Sequence, residues 1–160
     1  MAKIVVETLD QLKAMAGREV GVTDWFVVTQ ERIDKFADAT GDHQWIHIDR
    51  ERAQRESPYG TTIAHGFLTL SLVSHFIKEV LEMKGLRMAI NYGLNRVRFP
   101  SAVLADSNVR ARVVLQSVKD LPEGAEATYL ITIESEGPGK PNCVAEWIAR
   151  YYPADNGVPR

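Results

Sequence analysis

The chain has 160 residues, enough for one domain with a sizeable core. Its 45% apolar and 25% charged content is that of a globular protein, and a net charge of −2 supplies no field to draw nucleic acid or an anionic membrane. A single cysteine, Cys143, excludes an internal disulfide and a multi-thiolate metal centre, and fits a cytoplasmic setting; no run approaches the roughly 18 apolar residues of a membrane span.

Thr8-Leu9-Asp10-Gln11 reads as a capping box, so a short first helix is predicted from there to Gly17, with Leu12 and Met15 inward. Val20 to Val28 is rich in β-branched and aromatic residues and is predicted as a strand. Thr29 can cap a second helix carrying Ile33, Phe36 and Ala37 at helical spacing, ended by Thr40-Gly41. From there to Thr62 the chain is polar and turn-rich, a long connection of the kind that carries function. A central helix is predicted over Gly66–Lys84, apolar on most of its circumference from Phe67 to Leu81, which requires burial; Gly85 ends it. Four strands follow, Ala89–Phe99, Ser107–Val118, Ala127–Glu134 and Cys143–Tyr152. Residues 153–160 are expected to form a flexible tail, leaving residues 1–152 as a single domain. Consecutive long strands argue for an antiparallel sheet. Curling it around the apolar helix buries that helix economically, and the fold class is α+β.

The chemistry concentrates in two places. Phe36-Ala37-Asp38-Ala39-Thr40-Gly41-Asp42 ends a helix, and His47 follows Asp42 by five residues, with His43-Gln44-Trp45-Ile46 between. Ala64-His65-Gly66-Phe67-Leu68 then opens the apolar helix. A carboxylate and an imidazole can move a proton, and a glycine N–H at a helix start can meet a developing oxyanion. Taken singly, Asp42 is also an ordinary turn former and His47 an ordinary loop histidine. His43 and His47, four apart, hint at a metal, but no third ligand is obvious nearby and no metal is expected. His75 reads as a core histidine, and Cys143 as a buried structural thiol.

On these residues the chain resembles the MaoC-like, single hot-dog family of (R)-specific enoyl-CoA hydratases and dehydratases, in its nodulation-protein-N-like subgroup. The resemblance runs from about Val20 to Tyr152. Phe36, Thr40-Gly41-Asp42, Ile46 and His47 match the hydratase motif, and Ile63-Ala64-His65-Gly66-Phe67-Leu68 is similar to the start of the family's central helix. Arg98-Phe99-Pro100-Ser101-Ala102-Val103 is a weaker match. Gln44-Trp45 replaces the usual Asn-Pro, which bears on substrate choice. Leu104-Ala105-Asp106 replaces a common Pro-Gly-Asp and is expected to affect only a turn.

The resemblance implies a hot-dog fold, a homodimer, and reversible hydration of a trans-2-enoyl thioester of coenzyme A or of an acyl carrier. Asp42 and His47 would handle water and proton, and Gly66 the thioester oxygen. Ser74 would place a hydroxyl near the catalytic acid; from their places in the chain, His65 is expected to orient the oxyanion turn or cap the helix, and Trp45, beside the motif, to line an acyl channel. No metal or redox cofactor is implied, because coenzyme A is part of the substrate. A hot-dog thioesterase and a non-catalytic acyl-thioester-binding module would keep the same residues and remain open alternatives. Arg96, Arg98, Arg110 and Arg112 could meet coenzyme A phosphates, but each reads first as part of a solvated strand face.

Overall fold

A computed structural model describes residues 3–154. The elements run β1 (Ile4–Val6), α1 (Leu9–Ala14), β2 (Arg18–Val22), β3 (Phe26–Val28), α2 (Gln30–Thr40), α3 (Trp45–Ile48), α4 (Arg50–Glu56), α5 (Gly66–Ser71), α6 (Val73–Val80), β4 (Leu81–Met83), β5 (Leu86–Arg98), β6 (Ser107–Leu121), β7 (Gly124–Ser135) and β8 (Cys143–Pro153). An antiparallel sheet is ordered β2-β6-β7-β8-β5, with β3 also paired to β6. Period-2 alternation puts Ala127, Tyr129, Ile131 and Ile133 of β7 on its inner face, with Cys143, Ala145, Trp147, Ala149 and Tyr151 of β8 beside them. Helix α6 packs across β6 and β2, and α5 meets β8. Phe76 is fully buried in this core. This is the expected α+β hot-dog architecture, and among the described residues no helix is long and apolar enough to cross a membrane.

Several expectations need correction. The predicted central helix over Gly66–Lys84 is two helices, and it stops four residues early. At Leu72 the N–H is shared between the Leu68 and Thr69 carbonyls, both at 3.3 Å, while the hydroxyls of Thr69 and Ser71 bond the carbonyls four residues back. Such back-bonding competes with the helical ladder and bends it. Leu81 then turns extended (φ −134°, ψ 130°), because Leu81–Met83 pairs in parallel with Ile4–Val6, a strand not anticipated at the N-terminus. Phe67, expected inside, is 71% exposed. The strand predicted over Val20–Val28 is broken at Thr23-Asp24-Trp25, and both pieces pair with β6. The long connection after Gly41 is ordered by α3 and α4, with the Asp49 carboxylate capping α4 at Arg52 N–H (2.9 Å). Pro153 pairs with Leu86 as the last residue of β8, and Ala154 N–H donates to Gly85 O (2.8 Å), so these two are tied down; the rest of the expected tail lies outside the described residues.

Candidate active site

Helix α2 ends where Gly41 takes a left-handed conformation (φ 75°) that its lack of a side chain permits, and this turn delivers Asp42 to the surface. The Asp42 carboxylate is half exposed and accepts weakly from Gln44 N–H (3.4 Å). Three residues on, α3 carries His47 inward, where it is 8% exposed. The His47 ring nitrogen Nδ1 lies 2.7 Å from Ile63 O. A carbonyl only accepts, so Nδ1 carries the proton and Nε2 keeps its lone pair. Burial pushes the His47 pKa below its ordinary value; the neighbouring His65 adds to that, while the bond to Ile63 O and the nearby Asp42 charge oppose it.

His65 stacks on His47 with ring centroids 3.8 Å apart and 27° between planes, and Phe36 flanks its other side at 5.0 Å. Its Nε2 donates to Asp42 O (2.9 Å), and its Nδ1 is buried without a hydrogen-bond partner among the described residues. His65 thus ties the Asp42 turn to the residue before Gly66. Ligating atoms of Asp42, His47 and His65 all lie within 4.8 Å of one another. The third group that was not obvious in the sequence is therefore His65, while His43 turns to Asp38 (2.9 Å) instead. Both histidines use one nitrogen on a carbonyl. That leaves each ring one nitrogen not engaged by a carbonyl, a lone pair that can take or hold a proton.

A cavity of about 250 Å³ opens beside this cluster, lined in part by His47, Ile63, Gly66, Thr69, Phe99 and Val103. Gly66 is the first residue of α5, so its N–H has no acceptor within the helix. A Cβ placed there would lie 3.2 Å from the Phe99 ring, so glycine lets that ring pack against the start of α5. Ser74 is not at this cavity. It lines a separate groove of about 450 Å³, largely apolar, with Ile77, Met83, Ile90 and Trp147. Trp45 lines neither; it is half-buried with the Arg52 guanidinium 4.4 Å above its ring. His75, read as a core histidine, is 47% exposed and pairs with Glu79 (2.8 Å).

The sequence offered no signal for what holds His47 from behind. Gln30, 8% exposed at the start of α2, donates from Nε2 to His47 O (2.7 Å) and to Asp34 Oδ1 (2.7 Å), and it accepts from the fully buried Thr62 hydroxyl. Asp106, in the left-handed region at φ 64°, accepts Gln30 N–H on one oxygen (3.0 Å) and Arg50 on the other (2.8 Å). Leu104-Ala105-Asp106 is therefore more than the turn it was expected to be.

The chain is similar to known proteins along most of its length. The chain is 53% identical to 3-hydroxyacyl-thioester dehydratase Z of Mycobacterium tuberculosis, over 91% of this chain and 96% of that protein. It is 46% identical to nodulation protein N of Rhizobium leguminosarum bv. viciae, over 88% and 89%. Among solved structures it superposes on R-hydratase PhaJ1 from Pseudomonas aeruginosa with a TM-score of 0.69, at 20% identity and over 91% and 90% of the two chains. The family model described as MaoC like domain matches residues 11–135, which take in α2, the Asp42–His47 turn and the sheet as far as β7. On that match and on the identity to its relatives, the chain belongs to the MaoC-like domain family.

Proposed function

We propose that this protein is a hydro-lyase that reversibly adds water to a trans-2-enoyl thioester to give the (R)-3-hydroxyacyl thioester. The observation that carries the reading is the His47 tautomer: Nδ1 is committed to Ile63 O, which leaves Nε2 basic on a ring that lines the same cavity as Gly66 and has a nitrogen within 4.8 Å of an Asp42 carboxylate oxygen. A water held between Asp42 and His47 loses a proton to the pair as its oxygen bonds to Cβ, and the pair returns one proton to Cα. Negative charge gathers on the thioester oxygen in between, and the Gly66 N–H is the donor that meets it. Every step moves a proton or an electron pair, so neither a metal nor a redox cofactor is called for; coenzyme A or an acyl carrier enters only as part of the substrate.

His65 serves this pair by fixing the Asp42 turn, and Ser74 with Ile77 and Trp147 offers the larger groove for the acyl chain. With Arg52 stacked on it, Trp45 is the poorer choice for a channel wall. A homodimer in the cytoplasm belongs to the same proposal, supported by the open edge of β5, where Met88, Ile90, Tyr92 and Leu94 are exposed.

The test is loss of enoyl-thioester absorbance with crotonyl-CoA and with a longer trans-2-enoyl-CoA, for the parent and for His47→Gln and Asp42→Asn, with chiral analysis of the product. Formation of the (R)-alcohol, with each variant slowed by at least about 100-fold while its melting curve stays intact, is expected. Thiol release from a saturated acyl-CoA would instead favour a thioesterase. Tight acyl-CoA binding with no turnover would favour a binding module.

A further inference from the structure

The acid–base pair can work only if the His47 imidazole is held in one place and one tautomer, and nothing on α3 itself does this, because that helix is a single turn. Besides the stacked His65 ring, two hydrogen bonds hold it. The backbone carbonyl of His47 receives Gln30 Nε2, and the ring Nδ1 reaches Ile63 O. Ile63 follows Thr62, whose hydroxyl donates to the same Gln30 side chain. One amide therefore grips both ends of the histidine's support: the main chain that carries the ring and the segment that sets its tautomer.

The amide's own orientation is determined. Its nitrogen faces two acceptors, His47 O and Asp34 Oδ1, and its oxygen accepts from the Thr62 hydroxyl, so a flipped amide would set its oxygen against two oxygens that can only accept. Gln30 is in turn held by its backbone. It opens α2, where an N–H has no helical acceptor, and Asp106 Oδ1 supplies one at 3.0 Å. Asp106 can aim there because it sits at φ 64°, a conformation that aspartate tolerates better than most residues, pinned by its own N–H to Val28 O (2.8 Å) and by Arg50. The Gln30 N–H, and after it Arg50, holds the Asp106 carboxyl below the usual carboxylate range, which keeps it an acceptor.

We propose that Gln30 is a positioning residue for this site, fixing both the place and the tautomer of His47 through its backbone carbonyl and the Thr62–Ile63 segment, with Asp106 holding Gln30 in register. The inference rests on His47 being the base. It predicts that disturbing the clamp slows turnover without weakening binding, since none of the three side chains lines the cavity.

Three variants test it: Gln30→Met, which keeps length and removes the polar head; Thr62→Val, which removes only the hydroxyl; and Asp106→Gly, which keeps the left-handed backbone accessible. For folded Gln30→Met, kcat on crotonyl-CoA is expected to fall by about 10- to 100-fold with KM changed less than about threefold, as for a misplaced catalytic group. For Thr62→Val and Asp106→Gly a fall of about 3- to 10-fold is expected. The same proteins, labelled with ¹⁵N-histidine, should show the His47 Nδ1–H signal of the parent broadened or exchanging faster. That signal needs no turnover, so it decides the positioning claim even for a parent inactive on crotonyl-CoA. If Gln30→Met does not fold, the other two variants decide by the same readings. A kcat within about twofold of the parent with an unchanged imidazole spectrum, or a change in KM alone, overturns the proposal.

Discussion

His47 sits among opposing influences, and their balance sets its charge. Burial and the stacked His65 favour the neutral ring; the Ile63 carbonyl and Asp42 favour the cation, and the balance falls on the neutral side. The acid limb of the pH profile for kcat/KM should therefore lie below 6.5, the ordinary histidine value, and a limb at or above 6.5 would argue against a buried neutral base. Stability follows the same sign. Unfolded His47 takes its proton at a higher pH than folded His47, so its contribution is complete above the unfolded value and is lost as pH falls through the folded one. Asp42 and His47 were legible because a carboxylate and an imidazole at that spacing match a known motif. Gln30 was not. A glutamine in the first turn of a helix looks like any solvated helix former, and the contacts that bury it come from Thr62 and Asp106, which only the fold brings near.

At the scale of elements, α6 is the piece on which the sheet closes. Phe76 is fully buried and meets Phe26 of β3 edge-on, with ring centroids 5.9 Å apart. Phe76→Ala should cost about 3–5 kcal/mol, since the surrounding strands collapse only partly into the space left; urea unfolding monitored by fluorescence would measure it. The long strands β6 to β8 could be read from alternation alone, because one face is buried and the other is not. By contrast β1 and β4 are three residues each and pair across most of the N-terminal half, so neither carries a periodic signature. The break at Leu72 escaped for a related reason: apolar periodicity continues through it, and the hydroxyls of Thr69 and Ser71 that bend the helix look harmless in sequence.

For the whole molecule, β5 is an edge strand with exposed apolar side chains, thirteen residues long and paired only with β8 among the described residues. Proposed as the seam of a homodimer, it predicts that sedimentation equilibrium gives twice the chain mass. Tyr92→Glu with Leu94→Glu, which brings like charges into the seam from both copies, should then give monomers; a parent that sediments as a monomer would contradict the seam. The other side of the sheet holds the chain's only thiol. Cys143 is fully buried at the start of β8, paired with Ile133 of β7, and burial pushes its thiol up to about 11. Its thiolate is scarce at neutral pH and shielded from reagents, so alkylation has to wait until β7 and β8 part. The protein thereby carries its own clock for that event, with the rate at which a small alkylating agent consumes Cys143 counting how often these strands separate in the native state.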